Sequence, residues 1–135
     1  MTIHPELLEE AYPLQDHLGF RLTEWRTDFA RIEVPLAPFL MNRQGLPHGG
    51  IHATLLDSAM GFAGCYTGDP AVRQMALTLS LTVNYVAQAQ GDLLIATGWR
   101  TGGGHKTYFA EGRVEDTLGT HIATASGVFR YRSAP

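Results

Sequence analysis

A single cysteine, Cys65, is all the thiol this chain carries. An internal disulfide is therefore excluded, and a reducing compartment fits. Cys65 lies in an apolar run, which reads as a buried, inert thiol. No apolar stretch approaches the roughly 18 residues needed to cross a membrane as a helix. Met1-Thr2-Ile3-His4-Pro5-Glu6 has neither a basic nor an apolar leader region. No signal peptide is expected, and the expected location is cytoplasmic. The formal net charge is only −3, and no basic cluster is interleaved with aromatics. Neither nucleic acid nor membrane is an expected partner. No Gly-x-Ser-x-Gly elbow occurs and Cys65 has no activating neighbour, so neither nucleophile class is supported.

There is also no internal repeat, low-complexity tract or linker. The 135 residues read as one domain, large enough for a core. An N-terminal helical segment, 1–17, precedes a single domain, 18–135. Leu7, Leu8, Ala11 and Leu14 predict a short amphipathic helix over 5–16, broken near Pro13. From Phe20 to Pro35 the pattern alternates, predicting two strands with a turn near Arg26–Asp28. Pro35 and Pro38 open an irregular loop. A long helix follows over about 50–66, near 25 Å at 1.5 Å per residue. Strands are expected over 74–87, 92–101, 105–115 and 120–132. Gly102-Gly103-Gly104 and Asp116–Gly119 are the turns between them. Such turns imply antiparallel hairpins. Two strands, one helix and four strands make an α+β chain. The helix is apolar around most of its circumference, so a sheet of five to six strands wrapped around it is expected.

Two features of the helix carry chemistry. Its entrance, Asn42-Arg43-Gln44-Gly45-Leu46-Pro47-His48-Gly49-Gly50, places glycines where first-turn N–H groups lack internal partners. A carbonyl seated there would be polarised, and its oxyanion stabilised. Within the helix stands one acid, Asp57. It shares a stripe with Gly50, Ala53, Thr54, Gly61 and Gly64, all small. That stripe suits close approach by a ligand, another backbone or a second subunit. The acid suits general-base work on water, or direct attack. A solvated helix acid is the plain alternative for Asp57, and a simple turn is the alternative for the glycines. His48 and His52 stand four apart, but no third ligand accompanies them, so no metal is expected.

Asn42-x2-Gly45-x2-His48-Gly49-Gly50, followed by Leu55, Asp57 and Gly61, resembles the hotdog-fold thioesterases of the phenylacetate-pathway (PaaI-like) group. Thr78-Leu79-Ser80-Leu81-Thr82-Val83-Asn84-Tyr85, then Gly91-Asp92, and Gly104-His105-Lys106 extend the resemblance across roughly residues 18–132. The resemblance implies a hotdog fold, self-association as a dimer and often a tetramer, and hydrolysis of acyl-coenzyme A thioesters. No separate cofactor is implied, because coenzyme A is part of the substrate. It makes Asp57 the base or nucleophile, and the Gly49 amide of a second subunit the carbonyl-polarising donor. His48 and Asn42 would shape that entrance, and Thr78 would hold the water or the carboxylate. Gly50, Arg73, Gly104, His105 and Lys106 would contact substrate, with Arg73 and Lys106 facing coenzyme A phosphates. A hotdog hydratase or dehydratase, built on His48 and Asp57, and a non-catalytic acyl-CoA-binding module are the alternatives. The acyl group is not legible. Phe39, Leu40, Met41, Met60 and Tyr66 suit a pocket or a core equally. Asp57 lies about two helical turns, roughly 10–12 Å, from its own Gly49. One water and one carbonyl span that gap poorly, so two half-sites from two subunits are expected.

Overall fold

The computed structural model describes residues 3–133. The strands are β1 (Arg21–Arg26), β2 (Phe29–Pro35), β3 (Gln74–Tyr85), β4 (Leu93–Gly103), β5 (Thr107–Asp116) and β6 (His121–Ser133). The helices are α1 (Pro13–Leu18) and α2 (Gly49–Cys65). All strand pairs are antiparallel, in the order β1-β2-β4-β5-β6-β3. The six-stranded sheet curls around α2, which is the hotdog arrangement.

Alternation places one face of each strand on the helix. In β5, Tyr108, Ala110, Gly112, Val114 and Asp116 are buried while Phe109, Glu111 and Arg113 face outward. Leu55, Leu56, Ala59 and Met60 of α2 fill the concavity with Ile32, Leu94, Ile122 and Phe129. Gly98 of β4 sets the distance of closest approach. A Cβ there would lie 2.6 Å from the Ala59 backbone carbonyl carbon, so only glycine lets the helix sit this close. The C-terminal carbonyls of α2 find side-chain donors. Trp25 Nε1 donates to Phe62 O at 2.8 Å, and the Tyr131 hydroxyl donates to Gly64 O at 2.7 Å.

Three expectations need correction. The helix expected over 5–16 is a 3-10 turn at Pro5–Leu7, an extended stretch, and then α1 starting at Pro13. Pro13 begins the helix because the first position needs no N–H, and it holds the residue before it extended. Gly102 and Gly103 belong to β4, so the turn falls on residues 104–106 instead. The small-residue stripe of α2 is not wholly a surface for ligand or partner. Gly64 packs inward, where a Cβ would overlap the Tyr108 ring.

The third strand departs from simple alternation. Thr78 pairs with Phe129 and Ser80 with Val128, so Leu79 is an extra residue, a β-bulge. Before it, Gln74, Ala76 and Thr78 face the helix side. After it, Leu81 and Val83 do, packing on the core. The bulge lets one strand present Thr78 to the middle of α2 and Tyr85 to its start. No helix among the described residues is long and apolar enough to cross a membrane.

Candidate active site

Asp57 sits half-buried on the open side of α2. The Thr78 hydroxyl donates to its Oδ1 at 2.6 Å. The fold therefore joins two residues 21 positions apart, both expected at the site. No other hydrogen bond to the carboxylate is present among the described residues, which leaves Oδ2 free for water. The pair borders a cleft of about 290 Å³ with Gly61, Phe62, Trp25 and Phe129.

The helix entrance is built by the loop before it. Asn42 Oδ1 accepts from Gln44 N at 2.8 Å and Leu46 N at 3.1 Å, and Gly45 adopts φ 76° at the turn. This closed loop delivers His48 as the cap of α2. His48 Nδ1 accepts from Gly50 N at 2.8 Å, and His48 O accepts from Ile51 N at 2.9 Å. The Gly50 amide is thus occupied, which corrects the reading of both glycine amides as open donors. The Gly49 amide has no partner among the described residues. Its carbonyl accepts from the Tyr85 hydroxyl at 2.6 Å. Gly49, Asn42, Tyr85 and His52 border a different cavity, also about 290 Å³. His52 is buried, its Nδ1 has no partner among the described residues, and burial pushes its pKa below the usual imidazole value.

Within one subunit, then, the acid and the open amide face separate cavities. Asp57 belongs to one and Gly49 to the other. Gly104, His105 and Lys106 form the exposed β4–β5 turn and border neither cavity. Arg73 stands at the Asp57 cleft, paired with Glu9 at 2.8 Å. Of the candidate acyl-pocket residues, Leu40 and Met60 are core, while Phe39 is exposed. Burial lifts the Cys65 thiol to about 11, the inert state expected of it. Among the described residues, no cluster of three or more His, Cys, Asp or Glu side chains has metal-holding geometry.

Sequence reasoning missed the groups that surround Asp57. The Tyr12 hydroxyl lies 3.2 Å from Ser58 Oγ. Burial raises its pKa; the hydrogen bond with Ser58 opposes this and the nearby Asp57 charge adds to it. Tyr85 was also missed as the residue fixing Gly49. In the sequence, Tyr85 ends a strand of unbroken alternation, which carries no sign of a contact with the helix start.

The arrangement defines a hotdog protein with an acid on its central helix and a glycine donor at that helix's start. Residues 44–123 match the family model of the Thioesterase superfamily, and the chain belongs to that superfamily. Its family chemistry is the hydrolysis of thioesters. A Halobacterium salinarum protein provisionally named an esterase is 29% identical over 125 residues, covering 87% of this chain and 83% of that protein. A Bacillus halodurans protein solved with coenzyme A is 28% identical, with a TM-score of 0.78, covering 95% of this chain and 83% of that one. The PaaI protein of the Escherichia coli phenylacetic acid degradation operon shares the fold, with a TM-score of 0.77 at 17% identity, covering 90% and 85%.

Proposed function

We propose that this protein hydrolyses acyl-coenzyme A thioesters at sites completed between two copies of the chain. The reading is carried by the Asp57–Thr78 pair facing one cavity while the open Gly49 amide faces another. The coenzyme A held by the Bacillus halodurans relative supports the substrate class. Pairing of copies is supported by β3, an unpaired sheet edge 12 residues long. Its Leu77 and Leu79 are 48% and 57% exposed, and an apolar open edge favours association.

In this mechanism the thioester carbonyl rests against the Gly49 amide of the second copy. Thr78 holds Oδ1 of Asp57, and Oδ2 takes a proton from water as the water oxygen attacks the carbonyl carbon. The Gly49 N–H stabilises the oxyanion, which collapses with cleavage of the C–S bond. The coenzyme A thiolate leaves and recovers a proton, and the acid is released. Changing Asp57 to Ala should lower kcat by about 10²–10⁴-fold, the usual worth of a positioned base. A thiol reagent that reports free coenzyme A checks this. Undiminished release with a native-like melting profile contradicts the role given to Asp57.

A further inference from the structure

The cleft beside Asp57 has a wall that the hydrolytic step does not use. Residues 6–12 cross the C-terminal half of α2 as a strap anchored at three points. Ile3, just ahead of it, is buried against Trp25, Ala30 and Ala63. The Tyr12 hydroxyl meets Ser58 Oγ at 3.2 Å. The Glu9 carboxylate accepts two hydrogen bonds from Arg73, at 2.8 and 3.3 Å. Under the strap, the cleft shares Glu9, Trp25, Cys65 and Arg73 with a larger cavity of about 500 Å³. The shared residues place the larger cavity next to the cleft that Asp57 borders, within reach of an acyl chain whose carbonyl lies near Asp57.

The chemistry of the space is one-sided. Its floor is aromatic, with the Trp25 and Phe62 rings edge-on at 5.4 Å. Its carboxyl side chains beside the strap are Asp57, Glu9 and Glu10, against the single guanidinium of Arg73. The larger cavity adds Glu6 and Asp69 and no further Lys or Arg. Glu9 already holds Arg73 with both carboxylate oxygens, so the one guanidinium that borders these cavities among the described residues is already paired. A carboxylate there would meet like charge, the repulsive element from which selectivity is built.

We propose that the strap selects acyl groups whose far end carries no negative charge, with the Glu9–Arg73 pair as the determinant. The inference rests on the acyl-CoA thioesterase reading above. It names the substrate class: neutral aryl or alkyl acyl groups, and not the half-thioesters of dicarboxylic acids.

The test compares hexanoyl-CoA with adipoyl-CoA, which ends in a free carboxylate. The wild type should favour hexanoyl-CoA by at least about tenfold in kcat/KM, the scale of one uncompensated like-charge contact. Glu9→Gln leaves Arg73 unpaired and should move that ratio toward adipoyl-CoA by about tenfold, while Arg73→Met should move it the other way. The second variant keeps the test intact if the first loosens the strap. A wild-type ratio under about twofold, or variants that both leave the ratio in place, overturns the proposal. Titration calorimetry with hexyl-CoA and carboxypentyl-CoA thioethers reads the same preference without turnover. Thioether discrimination with no hydrolysis of any acyl-CoA overturns the hydrolytic reading and sustains the charge preference. Equal thioether binding with active hydrolysis does the reverse.

Discussion

Gly49→Pro separates the catalytic amide from the fold that presents it. Gly49 is the first residue of α2, where proline is tolerated because that N–H has no helical partner. Proline demands an extended residue before it, and His48 already has φ −63° and ψ 133°. A side chain at position 49 meets the Tyr85 ring and hydroxyl at 3.4–3.5 Å, ordinary contact. The substitution therefore replaces the N–H hydrogen by a ring carbon and asks little adjustment of the backbone. Losing a single oxyanion donor costs about 10²–10³ in kcat, or ~2.7–4 kcal/mol of transition-state stabilisation. Replacing glycine by proline at a compatible position stabilises the fold by about 0.4–1 kcal/mol, through fewer unfolded conformations. For a chain of this size that is an upward Tm shift of about 1–4 °C. Activity and stability should thus move in opposite directions. Gly49→Ala keeps the amide and should retain most of the activity. Thiol release and a thermal melt on the three proteins measure both quantities. Full activity in Gly49→Pro refutes the amide's role. A loss of activity accompanied by a lowered Tm refutes the reading of the His48–Gly49 geometry.

Two further outcomes follow from the hydrogen bonds. Thr78→Val removes the 2.6 Å bond to Asp57 and should lower kcat about tenfold or more, while Thr78→Ser should keep most of it; equal rates for the two exclude the hydroxyl as a positioning group. Asp116 is buried, which opposes its ionisation, but the amides of Gln90, Gly91, Leu118 and Thr120 at 2.7–3.0 Å outweigh burial and hold its carboxyl well below the usual range. Its stabilising contribution is therefore full above the unfolded-state value of about 4 and declines as pH falls toward the folded-state one. Asp116→Asn should cost about 1–3 kcal/mol at neutral pH by urea unfolding, with the gap from wild type narrowing at pH values below about 4. A gap of constant size across that range contradicts the account.

The long helix and the glycine-bounded strands are legible because their signals are local. Fully apolar turns of α2 and the alternation in β5 need no knowledge of partners. The N-terminal segment misleads for a local reason too. Leu7, Leu8, Ala11 and Leu14 have helical spacing, yet Pro13 acts as the start of a helix rather than the end of one. The bulge at Leu79 is hidden inside Leu77-Thr78-Leu79-Ser80-Leu81, where an inserted residue leaves the alternation looking unbroken. Asp57 and Gly49 stand out because a helical acid and an entrance glycine are unusual where they occur. The groups that modify the site do not. Glu9 meets Arg73 across 64 residues and Tyr12 meets Ser58 across 46, and only the folded chain brings them together. Helical rise alone, by contrast, indicates that Asp57 and its own Gly49 stand too far apart for one site. Their opening into separate cavities agrees with that arithmetic.

The central claim is that each site takes Asp57 from one copy and Gly49 from the other. Co-expressing Asp57→Ala with Gly49→Pro, each nearly inactive alone, tests it most directly. In a mixed dimer one site carries both defects and the other carries neither. Random pairing makes half the dimers mixed, so the account predicts recovery of about a quarter of wild-type thiol release. Sites contained within single chains would leave the mixture as inactive as its components, and that result would contradict the account.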